Sequence, residues 1–183
     1  GAFQDIAGAL LALAQANRQG VIDGGDPEYV HQMRVAVRRL RAIFGAYAKT
    51  LPKVALQARV NELKWLARAL GPLRDADVFI TEIWPPLRTA LNANPLLQRL
   101  DAQWAAQQRA AAANARRALA TRRYQRLMLG FGCWLLEEGW RSGASAEQLA
   151  GLEQPARDFA RRVLERRDGK VRRYGQTIAK LDD

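Results

Sequence analysis

Apolar residues recur along this chain every three or four positions, and Pro and Gly cut the pattern into segments. Residues at that spacing share one face of a helix, whereas a half-buried strand alternates every second residue. Val/Ile/Thr-rich alternating runs between turns are missing, and Ala, Leu, Arg, Gln and Glu, all strong helix formers, dominate. The pattern predicts a first helix from Phe3 to Gln19, stopping near Gly20. Asp26-Pro27-Glu28 reads as the start of a second: a capping acid, Pro at the first position and an acid in the first turn. It should run to about Thr50. Pro52 opens a third, ending at Leu70-Gly71-Pro72, and a fourth runs from Arg74 to just before Pro85-Pro86. A long fifth helix starts at Asn94-Pro95 and continues, or kinks near Thr121, into a sixth ending at about Arg141. Ser142 to Gln154 reads as a loop with room for one helical turn, and Pro155 opens a last helix weakened at Gly169 and Gly175. Long helices joined by short connections predict an all-α fold, an antiparallel bundle of about six to seven long helices. No internal repeat is evident, so residues 1–183 read as a single helical domain.

The second helix has two distinct sides. At about 100° per residue, Met33, Val37, Leu40, Phe44 and Tyr47 gather on one of them, the predicted core face. His31, Arg34, Arg38 and Arg41 gather on the other, with Lys49 further along. Stripe residues three or four apart are neighbours and repel one another. An ordinary solvated face would intersperse Glu with its cations and gain from the pairing. Here no Asp or Glu occurs from Tyr29 to Asn61, while Arg34, Arg38, Arg39, Arg41, Lys49, Lys53 and Arg59 all fall inside that stretch. Ala102 to Leu136 is acid-free too, with Arg109, Arg116, Arg117, Arg122, Arg123 and Arg126. Repulsion of this kind costs stability unless an external polyanion offsets it. Each charge-assisted hydrogen bond to such a ligand contributes about 1.5 to 3 kcal/mol. The last helix repeats the theme with Arg162, Arg166, Lys170, Arg173 and Lys180 on one side and Phe159, Val163, Val171, Tyr174, Ile178 and Leu181 on another, but Asp158, Glu165 and Asp168 intervene.

Whole-chain charge agrees with that reading. Lys and Arg total 29 against 18 Asp and Glu, a net +11, and only five of the 29 are Lys. Guanidinium is planar and offers five donors that fit phosphate oxygens in pairs, so an Arg bias favours phosphate-bearing partners. His31, the sole histidine, reads as a hydrogen-bond donor to phosphate and not as a general base, since no nucleophile or orienting acid is placed for it. Other chemistry is poorly supplied. No CxxC, HExxH or Gly-rich phosphate loop occurs, and one His with one Cys leaves little for metal sites or catalytic triads. No metal or cofactor is implied, and the chain reads as a binder without catalysis. Asp75 and Asp77 read as acids at a helix start, paired with Arg74, more than as a metal pair. Cys133 is expected as a small core residue, and Trp65 falls beside the polar side of its helix. No run is apolar and long enough to span a membrane, and a cytoplasmic location is expected. Gly1-Ala2, without a Met, reads as a cloning scar or the edge of a domain cut from a longer chain.

Two stretches together carry a resemblance: VHQMRVAVRRLR from Val30 to Arg41, and ELKWLARALGPLRDADV from Glu62 to Val78. They resemble the CHAD family, the conserved-histidine α-helical domains, and ATRRYQRLMLGFGCWL from Ala120 to Leu135 fits the later part of that family's first half. The resemblance implies an antiparallel helical bundle with a basic groove or pore that binds inorganic polyphosphate. It also implies association with polyphosphate granules and frequent fusion to a CYTH-type domain. Carried over by position, it designates His31, Arg34, Arg38 and Arg41 as ligand residues, with Arg39, Lys64, Arg68 and Arg74 as further candidates; Arg122, Arg126, Arg166 and Arg173 join them from the basic helices. The family usually has a second half with its own His/Arg/Lys helix, and this sequence stops at Asp183, where that half would begin. A second half-domain or a partner chain is therefore expected to complete the bundle. A second reading of the same stripe is nonspecific binding of a nucleic-acid phosphate backbone, which such helices grip without reading bases.

Overall fold

Two helices, α1 (Ala2–Ala16) and α2 (Arg18–Asp23), occupy the stretch predicted as one. The computed structural model describes residues 1–91 and 96–179, the last three of these as backbone alone. Asn17 divides the pair, its amide donating to the Leu13 carbonyl at 2.8 Å. α2 runs past Gly20 and ends at Gly24, whose φ of 74° is the left-handed cap that glycine adopts without a Cβ penalty. α3 (Pro27–Ala46) starts as predicted, with the Asp26 carboxylate accepting from the Glu28 N–H at 2.8 Å. It stops at Ala46, short of the expected Thr50.

The predicted break at Leu70-Gly71-Pro72 does not occur. α4 (Lys53–Val78) passes straight through Pro72, so Arg74 lies in its interior instead of opening a new helix. Pro72 removes one helical donor, but Leu66, Leu70 and Leu73 are buried on either side of it, and their packing holds the helix together. Nor does the chain stop before Pro85-Pro86. It widens into a π-helical segment, Phe79–Ile83, where the Trp84 N–H reaches back five residues to the Phe79 carbonyl. It then continues as α5 (Trp84–Ala90) with both prolines in the first turn, where a missing N–H matters least. The predicted start at Asn94-Pro95 lies outside the described residues. α6 (Leu96–Ala120) and α7 (Arg122–Leu136) are separated at Thr121, which is extended and caps α7 through its hydroxyl, accepting from the Tyr124 N–H at 3.2 Å. α7 ends at Leu136, before Arg141, and the predicted loop after it contains a capped helix, α8 (Ala146–Glu153). α9 (Ala156–Ala179) runs through both Gly169 and Gly175. There is no strand among the described residues, and the fold is all-α.

α1, α3, α4, α6 and α7 make the bundle: α1 packs on α3 and α7, α3 on α4, and α4 on α6 and α7. Neighbours run antiparallel. Phe3 at the start of α1 meets Phe44 and Tyr47 near the end of α3, with ring centroids 5.9 and 5.0 Å apart, and Trp134 near the end of α7 at 6.1 Å. Phe44 stacks on Phe131 at 5.6 Å, and both are almost wholly buried. Met33, Val37, Leu40, Phe44 and Tyr47 are all buried, as their spacing predicts. Cys133 is exposed, against expectation: its apolar neighbours Phe131, Trp134 and Leu135 face the core, and Cys133 lies on the opposite side of α7. α9 stands apart from this core. Its Leu164, Val171 and Tyr174 are 67%, 68% and 61% exposed. Among the described residues no helix is long and apolar enough to cross a membrane.

Candidate polyanion-binding face

α3 turns its core face inward, and this fixes where its stripe points. With Met33, Val37, Leu40 and Phe44 buried, His31, Arg34, Arg38 and Arg41 occupy the side of α3 next to α4. Arg34 marks the seam: its Nη1 donates to the Ala67 carbonyl of α4 at 3.4 Å, and its Nη2 lies 3.9 Å from Asp75 Oδ1. Gly71 makes room for it, since a Cβ there would stand 3.1 Å from Arg34 Nη1. Lys64, Arg68, Gly71 and Asp75 follow one another at helical spacing, so Lys64 and Arg68 belong to the same edge of α4 that Arg34 touches. The result is a shallow groove with His31, Arg34, Arg38 and Arg41 on one bank and Lys64 and Arg68 on the other. His31 and Arg34 are half-buried; Arg38, Arg41, Lys64 and Arg68 are exposed.

Compensation by acids is sparse along this groove. Among the described residues Arg38, Arg39, Arg41, Lys64 and Arg68 have no carboxylate within salt-bridge distance. Asp75 is the acid that reaches Arg34, and it is 76% exposed, so their pairing is weak. Arg39 is exposed, one residue's turn of about 100° off the stripe. Arg74, also a candidate, is a correction to the carried-over set in one respect. It does not pair with Asp75 but lies 3.8 Å from Glu82, and it is half-buried seven residues on from Ala67, on the face of α4 that Arg34 touches. Asp77 is no helix-start acid either. It is buried, accepts from Gln108 Nε2 of α6 at 2.7 Å, and so ties α4 to α6. No group of three or more His, Cys, Asp or Glu able to hold a metal occurs among the described residues.

Other basic residues go elsewhere. Arg122 and Arg126 are exposed on the solvent side of α7, opposite Leu127 and Phe131, and are not brought to the groove. Their neighbour Arg123 is compensated: it forms a bidentate pair with Glu62 at 2.8 and 2.9 Å and lies 4.4 Å over the Trp65 ring. Its hydrogen bond holds the Glu62 carboxyl below the usual range, against a partial opposing effect of burial. The half-buried Trp65 thus serves an internal cation. Arg59, counted in the first acid-free stretch, lies 5.2 Å over the Trp134 ring, and burial lowers its pKa. Both acid-free stretches therefore overstate the cations open to a ligand. On α9, Arg166 Nη2 donates to the Ala46 carbonyl at the end of α3, at 3.2 Å. Arg173, nearly two turns on, is exposed, and its Nε donates to the Gly169 carbonyl at 3.3 Å. Arg167, which the helical pattern does not single out, approaches the far end of the stripe, its Nη2 3.5 Å from the position of a Cβ on Gly45. Its helical angle on α9 differs from that of Arg162 and Arg166, and only the docking of α9 against α3 brings it there. Lys180, Ile178 and Leu181, which the sequence placed on the two sides of the last helix, lie outside the described side chains.

The helical fold and the sequence both match known proteins. The CHAD domain family matches residues 5–183. The crystal structure of the CHAD domain from the plant Ricinus communis is similar to this chain with a TM-score of 0.72 and 35% sequence identity, over 90% of this chain and 51% of that one. The chain thus spans about half the length of that plant domain. No curated protein matches it. A family match through nearly the whole sequence, together with a solved relative of the same helical architecture, establishes the affiliation: the chain belongs to the CHAD domain family.

Proposed function

We propose that this chain binds inorganic polyphosphate, without catalysis, in the groove between α3 and α4. The observation that carries this reading is the row His31, Arg34, Arg38 and Arg41 facing Lys64 and Arg68, with Asp75 the one carboxylate among the described residues that reaches it. A linear chain of phosphates carries a negative charge at each unit, so an open groove with cations one turn apart can engage several units at once. Guanidinium forks supply paired hydrogen bonds to non-bridging oxygens, and His31 contributes a ring N–H at the start of the row. CHAD membership supports the choice of polyphosphate over other polyanions, and association with polyphosphate granules in the cytoplasm is part of the same reading. The exposed Leu164, Val171 and Tyr174 of α9 support a second helical half packing there, as does the chain's span of about half of its plant relative.

The test is the double substitution Arg34→Ala with Arg38→Ala. Binding of long polyphosphate, measured by filter retention at fixed salt, should fall at least about tenfold, since two charge-assisted hydrogen-bonding groups are removed. Circular dichroism should be unchanged, because Arg38 is exposed and Arg34 makes one long hydrogen bond to the fold. Undiminished affinity would place the site elsewhere. Nucleic acid that competes with polyphosphate charge for charge would favour the backbone-binding alternative.

A further inference from the structure

A second anion-receptive feature lies past the end of the α3 stripe and differs in kind from the groove. The turn after α3, helix α8 and the first turns of α9 line an open cleft of about 810 Å³. Lys49 of the turn and Arg162 and Arg166 of α9, one helical turn apart, line it; Thr50, Gln148 and Gln154 add neutral polar groups. Among the described residues Glu147 is the one acid in the lining. Three cations against one carboxylate leave the cavity with a local surplus of two positive charges. Neither Lys49 nor Arg162 has a carboxylate within salt-bridge distance among the described residues.

The walls are built by specific contacts. Phe159 of α9 stacks on Tyr47, with ring centroids 4.0 Å apart and planes at 22°, and pins α9 to the end of α3. Arg166 uses one N–H on the Ala46 carbonyl, which fixes its guanidinium and leaves other donors of its fork for a ligand. α8 closes over the turn because Gly151 has no side chain: a Cβ there would come within 2.5 Å of Thr50 Cγ2. Gln154 Oε1 is buried without a protein donor.

We propose that this cavity seats a terminal phosphoryl group, either the end of a phosphate chain or a phosphate of a compact phosphorylated polyol. A terminal phosphoryl carries about −1.5 to −2 charge at neutral pH and three free oxygens, more charge and one more free oxygen than an internal unit of a chain. Three cations lining one cleft, from the turn after α3 and from α9, match that demand. The open groove, with cations in a row, matches internal units. Lys49 lies in the turn directly after α3, and Arg166 bonds the Ala46 carbonyl at the end of that helix, so the cavity adjoins the far end of the stripe. The chain-end form of the proposal rests on the polyphosphate reading above; the polyol form does not.

The experiment compares linear tripolyphosphate with cyclic trimetaphosphate, which has the same number of phosphorus atoms and no end, using calorimetry on the whole chain and on Lys49→Ala with Arg162→Ala. Both side chains are exposed, and circular dichroism checks that the variant folds. The variant should lose at least about tenfold in affinity for tripolyphosphate, two cationic contacts being removed, and should bind trimetaphosphate as the parent chain does. Equal loss for both ligands, or loss for neither, overturns the proposal. Inositol hexakisphosphate separates the two sources. Tighter binding than tripolyphosphate, lost in the variant, assigns the cavity to a compact polyol; the reverse order assigns it to a chain end. If Arg34→Ala with Arg38→Ala leaves long-chain binding intact, the groove assignment fails separately, and with it the chain-end form that continues from the groove; the polyol form stands or falls on the inositol hexakisphosphate comparison alone.

Discussion

Arg34 has two relationships in this protein, one with its own fold and one with the ligand proposed for it. Its guanidinium is held against α4 by the Ala67 carbonyl and by the space over Gly71. Gly71→Ala separates them. A Cβ at that position meets only the far end of the Arg34 side chain, 3.1 Å away, which can shift by a few tenths of an ångström. Replacing a mid-helix glycine by alanine contributes about 0.5 to 1 kcal/mol, so the urea midpoint should rise. A fall would mean that the seat of Arg34 is rigid and that its contact with α4 stabilises the fold. The alignment of His31, Arg34, Arg38 and Arg41 is legible in the sequence because one helix carries all four, and helical periodicity alone lines them up. The partners of Arg59 and Arg123 are not legible there. Trp134 and Glu62 are remote in sequence, and only packing brings them within reach.

At the scale of helices, local signals predicted starts better than stops. Asp26 and Thr121 cap helices through their own side chains, a short-range hydrogen bond that depends on the next few residues; Ser145 caps α8 in the same way, a start that the sequence reading left inside a loop. Breaks at proline were less dependable, because a helix that loses one hydrogen bond can be held by the burial of its flanking leucines, as α4 is at Pro72. α9 is the opposite case. None of its described side chains is buried, so its helicity rests on propensity, on local pairs such as Arg172–Asp168 at 2.8 Å, and on the Phe159 anchor. Gly169 lies mid-way along it, and a Cβ there meets nothing within 4 Å. Gly169→Ala should therefore slow amide hydrogen exchange in the second half of α9, by the roughly fivefold that about 1 kcal/mol represents, while leaving α3 and α4 unchanged. No change in α9 would show that a packing partner already holds it.

For the molecule as a whole, the net charge of +11 makes association with any polyanion sensitive to salt. If Arg34, Arg38, Arg41, Lys64 and Arg68 each neutralise one phosphate, the logarithm of the polyphosphate affinity should fall against the logarithm of salt with a slope of about −3.5, using the single-strand nucleic-acid coefficient. Arg34→Ala with Arg38→Ala should reduce that slope to about −2. A slope unaltered by the substitution would mean that the charge is read over the whole surface and not in the groove. What the sequence determined by itself was helicity, the division of α3 into an apolar and a cationic side, and the scarcity of acids along it, because each depends on residues within a few turns of one another. Tertiary structure alone decided which cations are left for a ligand. The approach of α4 sets Lys64 and Arg68 beside the stripe, Glu62 pairs with Arg123 at the surface, Trp134 takes up the half-buried Arg59, and the Tyr47–Phe159 stack brings α9 over the end of α3. Those outcomes depend on groups far apart in the chain meeting in a packed core, and no local pattern encodes such meetings.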